Sequence, residues 1–247
     1  MIEAKGIYKY FNDRAVLKDI NFSFEEGKNN LIIGQSGSGK TVLMKCLVGL
    51  LKPEEGEVLY SNRKFSNTSE NQQKELRKEI GMIFQGAALF DSLNVEENVM
   101  FPLDMFTNMS KEEKLDRANF CLKRVDIINK NKLFPSEISG GMKKRVAIAR
   151  AIAMNPKYLF CDEPNSGLDP LTAVVIDNLI SEITHEYGIT TIINTHDMNS
   201  VLEIGDRVAF IHRGELWWSG SKDDVLSTDN KELHDFVYAS ELTKKLL

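Results

Sequence analysis

The hydrophobic positions of this chain follow two spacings, and each spacing predicts a type of element. In residues 20–24 apolar and polar side chains alternate with a period of two, which predicts a half-exposed, antiparallel strand. Short apolar runs predict buried strands at residues 30–33, 80–84, 158–161 and 190–194. A helix is expected from Lys40 to about Leu51, directly after the first of these runs.

A helical pattern replaces the strand pattern between residues 85 and 156. Ser110 and Glu113 form the sequence of a capping box, in which each side chain accepts a hydrogen bond from the main-chain N–H group of the other residue. A second helix is expected from about residue 141 to residue 154. Strands and helices alternate on both sides of this helical insert, which favours an α/β fold with a largely parallel sheet.

The composition is that of an ordinary globular chain. The 247 residues are 42% hydrophobic and 27% charged, and this length is near the upper limit of one hydrophobic core. The net charge of −5 disfavours a nucleic-acid partner. No apolar stretch approaches the ~18 residues that span a bilayer, and no signal peptide is expected. Cys46, Cys121 and Cys161 lack metal-ligand spacing, so reduced thiols are expected.

Residues 34–41 match the phosphate-loop pattern G-x-x-x-x-G-K-[ST] at every position. The loop lies between a predicted strand and a predicted helix, where the N–H groups at the helix start bind anions. The pattern predicts that Lys40 reaches the β- and γ-phosphates and that the Thr41 hydroxyl ligates Mg²⁺. The predicted nucleotide-binding residues of the loop are Gly34, Gln35, Ser36, Gly37, Ser38, Gly39, Lys40 and Thr41.

Two adjacent acids end the predicted strand at residues 158–161. A buried strand that ends in Asp162 and Glu163 needs a cation or hydrogen bonds to offset the desolvation of two carboxylates. Asp162 is expected to hold Mg²⁺, mostly through water. Glu163 is expected to act as the general base toward the attacking water. Together with the phosphate loop, the pair indicates nucleotide hydrolysis.

A third motif separates this chain from other nucleotide hydrolases. Ser139, Gly140 and Gly141 precede a basic helix start and offer a hydroxyl and unobstructed N–H groups as a second anion site. In this context the sequence resembles the ATP-binding cassette (ABC) family, whose signature is usually Leu-Ser-Gly-Gly-Gln. The resemblance implies that these three residues act on ATP held by a second copy of the chain.

The other landmarks of the family follow in order over nearly the whole chain. The resemblance implies that Phe11 stacks on adenine, that Gln85 senses Mg²⁺ and water, and that His196 contacts the γ-phosphate. Residues 166–169 match the D-loop of the family. The resemblance therefore implies ATP and Mg²⁺ as cofactors, with Gln85, Glu163 and His196 as catalytic residues and Thr41, Gln85 and Asp162 as magnesium ligands.

The resemblance also implies an architecture, a single ABC ATPase domain over residues 1–247. The expected fold is an ABC-type P-loop NTPase with a RecA-like parallel-sheet lobe at residues 1–85 and 157–247. An N-terminal antiparallel β element is expected within that lobe. A helical lobe is expected to be inserted at residues 86–156.

Two features of the sequence narrow the resemblance to one group within the ABC family. Met142 stands where Gln is usual, so any polar contact of that Gln is absent or replaced. After Gln85 comes an apolar segment, residues 87–90, which would invite a partner helix if exposed. In both features the chain resembles the ATPase of Mla-type (toluene-tolerance) phospholipid-trafficking systems of Gram-negative envelopes.

This narrower resemblance implies partners and a location. The partners would be a multi-pass membrane permease, a second copy of the chain in an ATP-sandwich dimer, and lipid-binding or small accessory subunits. The chain would act peripherally at the cytoplasmic face of the inner membrane.

Two other functions compete with transport. An ABC ATPase acting on DNA would need a long coiled-coil insertion, but the insert of about 70 residues lacks heptads. A cytosolic scaffold of the iron–sulfur assembly type would carry the same catalytic motifs. The apolar segment after Gln85 is the main evidence against the scaffold.

Overall fold

The computed structural model describes residues 1–66 and 68–238. The strands in this part of the chain are β1 (Ile2–Phe11), β2 (Arg14–Phe24), β3 (Asn29–Ile33), β4 (Glu55–Tyr60), β5 (Arg63–Lys64), β6 (Ile80–Ile83), β7 (Tyr158–Asp162), β8 (Thr190–Asn194), β9 (Arg207–His212) and β10 (Glu215–Gly220). The α-helices are α1 (Lys40–Leu47), α2 (Glu70–Arg77), α3 (Val95–Phe106), α4 (Lys111–Arg124), α5 (Gly140–Ile152), α6 (Pro170–Tyr187), α7 (Met198–Ile204), α8 (Lys222–Leu226) and α9 (Lys231–Val237).

The chain forms two compact units, one of residues 1–74 with the chain from 190 onward, and one of residues 75–189. In the first unit β1 pairs with β2 and β4, and the strands follow the order β2-β1-β4-β5, all antiparallel. The antiparallel strand predicted at residues 20–24 is confirmed as the end of β2. The sequence pattern did not predict β1, because bulges shift its register and break the alternation of its side chains.

A second set of strands in the first unit includes two that are completely buried, β3 and β8. Strand β3 pairs in parallel with β8 and with β9, and β10 lies antiparallel beside β9. All five residues of β3 and all five of β8 are buried. The two short apolar runs at residues 30–33 and 190–194 are therefore buried strands, as predicted.

Helix α1 is shorter than the sequence predicted. It ends at Leu47 rather than near Leu51. The N–H groups of Leu50 and Leu51 both donate to the carbonyl oxygen of Lys45, at 2.9 and 3.0 Å. This closing turn satisfies a carbonyl group at the end of the helix, so residues 48–51 turn away although their side chains are mostly apolar.

The second unit holds the parallel pair β6–β7 and the helices between them. The capping box of α4 is confirmed, because Ser110 Oγ accepts from the Glu113 N–H and Glu113 Oε2 accepts from the Ser110 N–H. Helix α5 packs closely on β6, where an ideal Cβ atom at Gly81 would lie 2.4 Å from the carbonyl oxygen of Ala151. Helix α5 ends at Ile152, two residues before the predicted end.

These elements confirm the predicted α/β fold of an ABC-type P-loop NTPase, with an N-terminal antiparallel sheet, parallel strands and a helical segment between β6 and β7. The predicted lobe boundaries at residues 85/86 and 156/157 remain a prediction. Within the described residues, no helix has the length and hydropathy that a membrane span requires.

Candidate nucleotide-hydrolysis site

The phosphate loop, residues 34–41, joins the end of β3 to the start of α1. Lys40 is buried, and its Nζ atom donates to the carbonyl oxygens of Gly34 at 2.8 Å and Gln35 at 3.1 Å. The loop thus curves around its own lysine. A nucleotide phosphate would replace these carbonyl oxygens as acceptor, because a charged acceptor forms the stronger hydrogen bond with an ammonium group.

Two further features of the loop fit a triphosphate. An ideal Cβ atom at Gly34 would lie 2.2 Å from the carbonyl oxygen of Ile211, so only glycine lets the loop approach β9 this closely. The Ser38 hydroxyl is buried and finds no hydrogen-bond partner within residues 1–66 and 68–238. Because buried polar groups normally have partners, this hydroxyl at a helix start is suited to a phosphate oxygen.

The turn between β9 and β10 supports the phosphate loop, a contact that the sequence analysis did not anticipate. The Gly214 N–H donates to the Ser38 carbonyl oxygen at 3.0 Å, and the Lys18 N–H donates to the Gly214 carbonyl oxygen at 2.8 Å. Lys18 also forms an ion pair with Glu215 at 3.1 Å. The only signal in the sequence was a glycine after an apolar strand, which indicates a turn but not its neighbour.

His196 lies at the same end of the parallel strands as the phosphate loop. Asn194 pairs with Ile32, and the Thr195 N–H donates to the Ile32 carbonyl oxygen at 3.1 Å. Gly34 and His196 therefore each follow this pair by two residues. The carboxyl ends of parallel strands are the usual place for ligand-binding loops.

Phe11 lies at the tip of the β1–β2 hairpin, where Asn12 and Asp13 form the turn with φ angles of 48° and 62°. Phe11 is 44% exposed, and the Lys9 ammonium lies 5.4 Å from the centroid of its ring. An exposed aromatic ring of this kind offers a face for stacking. Stacking on adenine remains a prediction.

The acidic pair lies at the end of β7 in the second unit. Asp162 is buried, and Glu163 is half-buried with a φ angle of +47°, which is uncommon for a residue other than glycine. Gln85 Nε2 donates to Glu163 Oε2 at 3.0 Å. Strained backbone of this kind occurs most often at functional sites. The structure thus brings Gln85 next to Glu163, the residue that follows Asp162.

The signature residues line an open cavity of about 590 Å³ in the second unit. Ser139 caps α5, and its Oγ accepts from the Met142 N–H at 3.2 Å. An ideal Cβ atom at Gly141 would lie 2.9 Å from Thr172 Cγ2, so glycine permits the close approach of α5 to α6. Residues that the sequence analysis did not assign also line this cavity: Asp126, Ile127, Ile128, Lys130, Arg145 and Thr172.

The D-loop forms another wall of this cavity, with Gly167, Leu168 and Asp169. Asp169 caps α6 by accepting from the Thr172 N–H at 3.0 Å and from Thr172 Oγ1 at 2.5 Å. These hydrogen bonds from Thr172 hold the pKa of the Asp169 carboxyl below its usual value, so the carboxylate is charged at neutral pH. The signature and the D-loop thus line the same cavity.

The predicted site residues therefore form two groups. Phe11, the phosphate loop and His196 belong to the first unit. Gln85, Ser139, Gly140, Gly141, Asp162 and Glu163 belong to the second. A fold with a phosphate loop, an acidic strand end and a Ser-Gly-Gly helix start defines a P-loop nucleotide hydrolase.

The particular family follows from the comparisons with known proteins. Residues 17–166 match the family described as ABC transporter, and the chain belongs to this family. It is 38% identical to the methionine import ATP-binding protein MetN of Campylobacter jejuni, over 98% of this chain and 76% of that protein. It is 35% identical to the probable ribonucleotide transport ATP-binding protein mkl of Mycobacterium leprae, over 96% of this chain and 68% of that protein.

Solved structures give the same family. The chain resembles the ATP-binding cassette MJ0796 in a dimeric post-hydrolysis state bound to ADP and Pi, with 33% identity and a TM-score of 0.82 over 90% of this chain and 99% of that one. It also resembles cbiO1 of Clostridium perfringens, part of a cbiONQ transporter complex, with 31% identity and a TM-score of 0.85 over 99% and 98%. The protein is an ABC ATPase that binds ATP with Mg²⁺.

Proposed function

We propose that this ABC ATPase powers a membrane permease for lipids of the cell envelope. The observation that carries the hydrolytic part is the Gln85–Glu163 hydrogen bond beside the buried Asp162. The lipid part rests on Met142 and on the apolar segment after Gln85. The chain would act as a peripheral subunit at the cytoplasmic face of the inner membrane.

In the proposed reaction water attacks the γ-phosphorus of ATP and the bond to the β-phosphate oxygen breaks. Glu163 accepts the proton of the attacking water. Lys40 and the loop N–H groups bind the phosphates, and His196 contacts the γ-phosphate. Thr41, Gln85 and Asp162 would hold Mg²⁺, which neutralises charge on the phosphate oxygens. Catalysis consists mainly of positioning and electrostatic stabilisation.

A second copy of the chain would complete each site. Ser139, Gly140 and Gly141 present a helix start to an open cavity of about 590 Å³. A helix start of this kind binds anions, and here it would receive ATP carried on the phosphate loop of the partner copy. ATP then closes the dimer, and hydrolysis reopens it.

An exposed apolar surface in the second unit is the proposed docking site for the permease. Phe90 is 41% exposed, and its ring centroid lies 4.5 Å from that of Phe101. Arg150 holds the loop in place by donating to the carbonyl oxygens of Ala87 and Ala88 at 2.9 and 2.8 Å. The other exposed apolar side chains near this loop in sequence are Phe84, Met105 and Phe106.

The structure corrects one detail of the apolar segment. Ala87 is only 1% exposed, so it packs inside the unit and is not available to a partner helix. Ala88 and Phe90 are exposed, and Leu89 is half-buried. The proposed contact surface is therefore Ala88, Leu89 and Phe90 together with α3.

A second candidate substrate is methionine or a similar small solute. It is favoured by the 38–40% identity to MetN proteins, which are named for methionine import. Affinity purification of the chain from membranes would identify the co-purifying permease and its bound lipid. ATPase stimulation in proteoliposomes then separates the candidates, because phospholipid delivery or methionine addition would each stimulate only its own system.

A further inference from the structure

Lys144 is a buried ammonium group that the proposed mechanism does not use. Only 4% of this residue is exposed, and its Nζ atom has no hydrogen-bond partner within residues 1–66 and 68–238. Removing a charged group from water without a hydrogen bond is costly, so such groups are rare in protein interiors. Its neighbours Lys143 and Arg145 are both more exposed.

The packing of α5 places Lys144 near the acidic end of β7. Ala151 lies against Gly81 of β6, which pairs with Leu159 of β7. Lys144 lies seven residues before Ala151, so it is on the same face of the helix and about 10 Å toward the helix start.

The acidic pair lies about 10 Å beyond Leu159 along β7, which matches the distance from Ala151 to Lys144 along α5. Asp162 is three residues beyond Leu159, a rise of about 10 Å. Helix α5 ends at Ile152, and the chain turns back at residues 155–156 to enter β7. The start of the helix therefore lies over the end of the strand, where Glu163 follows Asp162.

The electrostatics of Lys144 agree with this placement. Burial lowers the pKa of Lys144 below its usual value, and the negative charge of Glu163 is the first of the opposing influences, followed by Cys161. The ammonium therefore interacts with the Glu163 carboxylate from a buried position, where attraction between charges is less screened than in water.

We propose that Lys144 is a positioning residue for ATP hydrolysis, whose buried ammonium attracts the Glu163 carboxylate and fixes its orientation at the end of β7. This inference rests on the proposed role of Glu163 as general base. The carboxylate accepts a hydrogen bond from Gln85, and the Glu163 backbone lies in the left-handed region. A fixed charge behind it would limit the directions that it can adopt.

The inference predicts that loss of the Lys144 ammonium lowers activity without lowering stability. In Lys144→Met a side chain of similar length replaces a buried ammonium that has no hydrogen-bond partner within residues 1–66 and 68–238. The substitution therefore breaks no hydrogen bond there and removes the desolvation cost of the charge. We expect Tm to stay constant or to rise by about 2 °C or more. At the same time kcat should fall at least about fivefold, with the Kd for Mg-ATP unchanged, because only positioning for the chemical step is lost.

Lys143→Met is the matched control, since it removes a neighbouring lysine charge at a half-exposed position of the same helix. The full chain of each variant is tested for Tm, for Mg-ATP affinity and for single-turnover hydrolysis. Lys144→Gln, which is also neutral, repeats the test if the methionine variant does not fold. Lys143→Met should keep the wild-type kcat.

A double variant separates failure of this inference from failure of the proposed base. In a Glu163→Gln background, Lys144→Met should cause no further loss of kcat, because the carboxylate that Lys144 orients is absent. If Glu163→Gln alone keeps the wild-type kcat, the role of Glu163 is wrong. If Glu163→Gln is inactive but Lys144→Met keeps the wild-type kcat, Lys144 does not position the base. If Lys144→Met instead loses both Tm and ATP affinity, Lys144 has a structural role. Either result overturns only the present inference.

Discussion

Gln85 Nε2 lies 3.0 Å from Glu163 Oε2 and donates a hydrogen bond to it. The contact follows from the parallel register of β6 and β7, in which Ile83 pairs with Cys161, because Gln85 and Glu163 each lie two residues beyond this pair. The amide that is expected to sense Mg²⁺ and the carboxylate that is expected to accept a proton are therefore linked directly. A change at either residue should alter hydrolysis more than nucleotide binding.

Glu163→Gln should reduce ATP turnover at least about a hundredfold, because it keeps the shape of the side chain but removes the proton acceptor. Mg-ATP binding should persist, since Lys40, Thr41 and Asp162 are unchanged. The variant should accumulate as an ATP-filled dimer, which size-exclusion chromatography with light scattering would detect. Turnover near the wild-type rate would mean that Glu163 is not the base.

Lys40→Ala should instead weaken nucleotide binding at least about tenfold. The ammonium that now binds the carbonyl oxygens of Gly34 and Gln35 would otherwise bind phosphate, and charge-assisted hydrogen bonds contribute more than neutral ones. Fluorescent ATP titration measures the loss directly. The variant should form no ATP-dependent dimer, in contrast to Glu163→Gln, and unchanged affinity would contradict the assignment of the loop lysine.

Phe90→Asp should uncouple the ATPase from the permease, because a charged carboxylate in an apolar contact costs several kcal/mol. Permease binding should weaken at least about tenfold while ATP binding stays intact. Leu89→Asp should act in the same direction.

Phe120→Asp is the matched control for Phe90→Asp. Phe120 lies on α4 and is 50% exposed. The Arg117 guanidinium lies over its ring, just as the Arg150 guanidinium lies over the ring of Phe90. It should leave permease binding unchanged. Loss of ATP binding in Phe90→Asp would show that this side chain belongs to the internal packing and not to a docking surface.

Without ATP the chain should be monomeric or only weakly dimeric, since the signature cavity and the phosphate loop would each await a nucleotide shared with the other copy. Light scattering in nucleotide-free buffer tests this. A constitutive contact through residues 231–247 would give a stable dimer instead. In that segment Leu233 and Val237 are buried, which leaves less apolar surface for such a contact, and residues 239–247 lie outside the described part of the chain.

Two buried cysteines should make the free energy of unfolding depend on pH. Burial raises the pKa of Cys46 and of Cys121 to about 11. A raised pKa in the folded state contributes stability that is present below the ordinary thiol pKa of about 9 and is lost as the pH rises toward 11. The free energy of unfolding should therefore fall between pH 9 and pH 11, as urea titrations would measure. Iodoacetamide at pH 8 should label these thiols only after unfolding, and rapid native labelling would contradict their burial.

Local patterns in the sequence determined much of this protein. The phosphate loop, the acidic strand end and the Ser-Gly-Gly helix start are each contiguous, so their residues and spacing specify the chemistry before any folding is considered. The buried strands β3, β7 and β8 and the capping box of α4 were also predictable, since burial and capping depend on adjacent residues.

Only the tertiary structure decided the relationships between distant residues. The register of β6 and β7 joins Gln85 to Glu163 across 78 positions of sequence, and a hairpin turn supports Ser38 through Gly214. The burial of Lys144 is likewise not visible in the sequence, where it is one of three consecutive basic residues. Such contacts depend on how the elements pack, and packing is set by the fit of many distant side chains and not by local spacing.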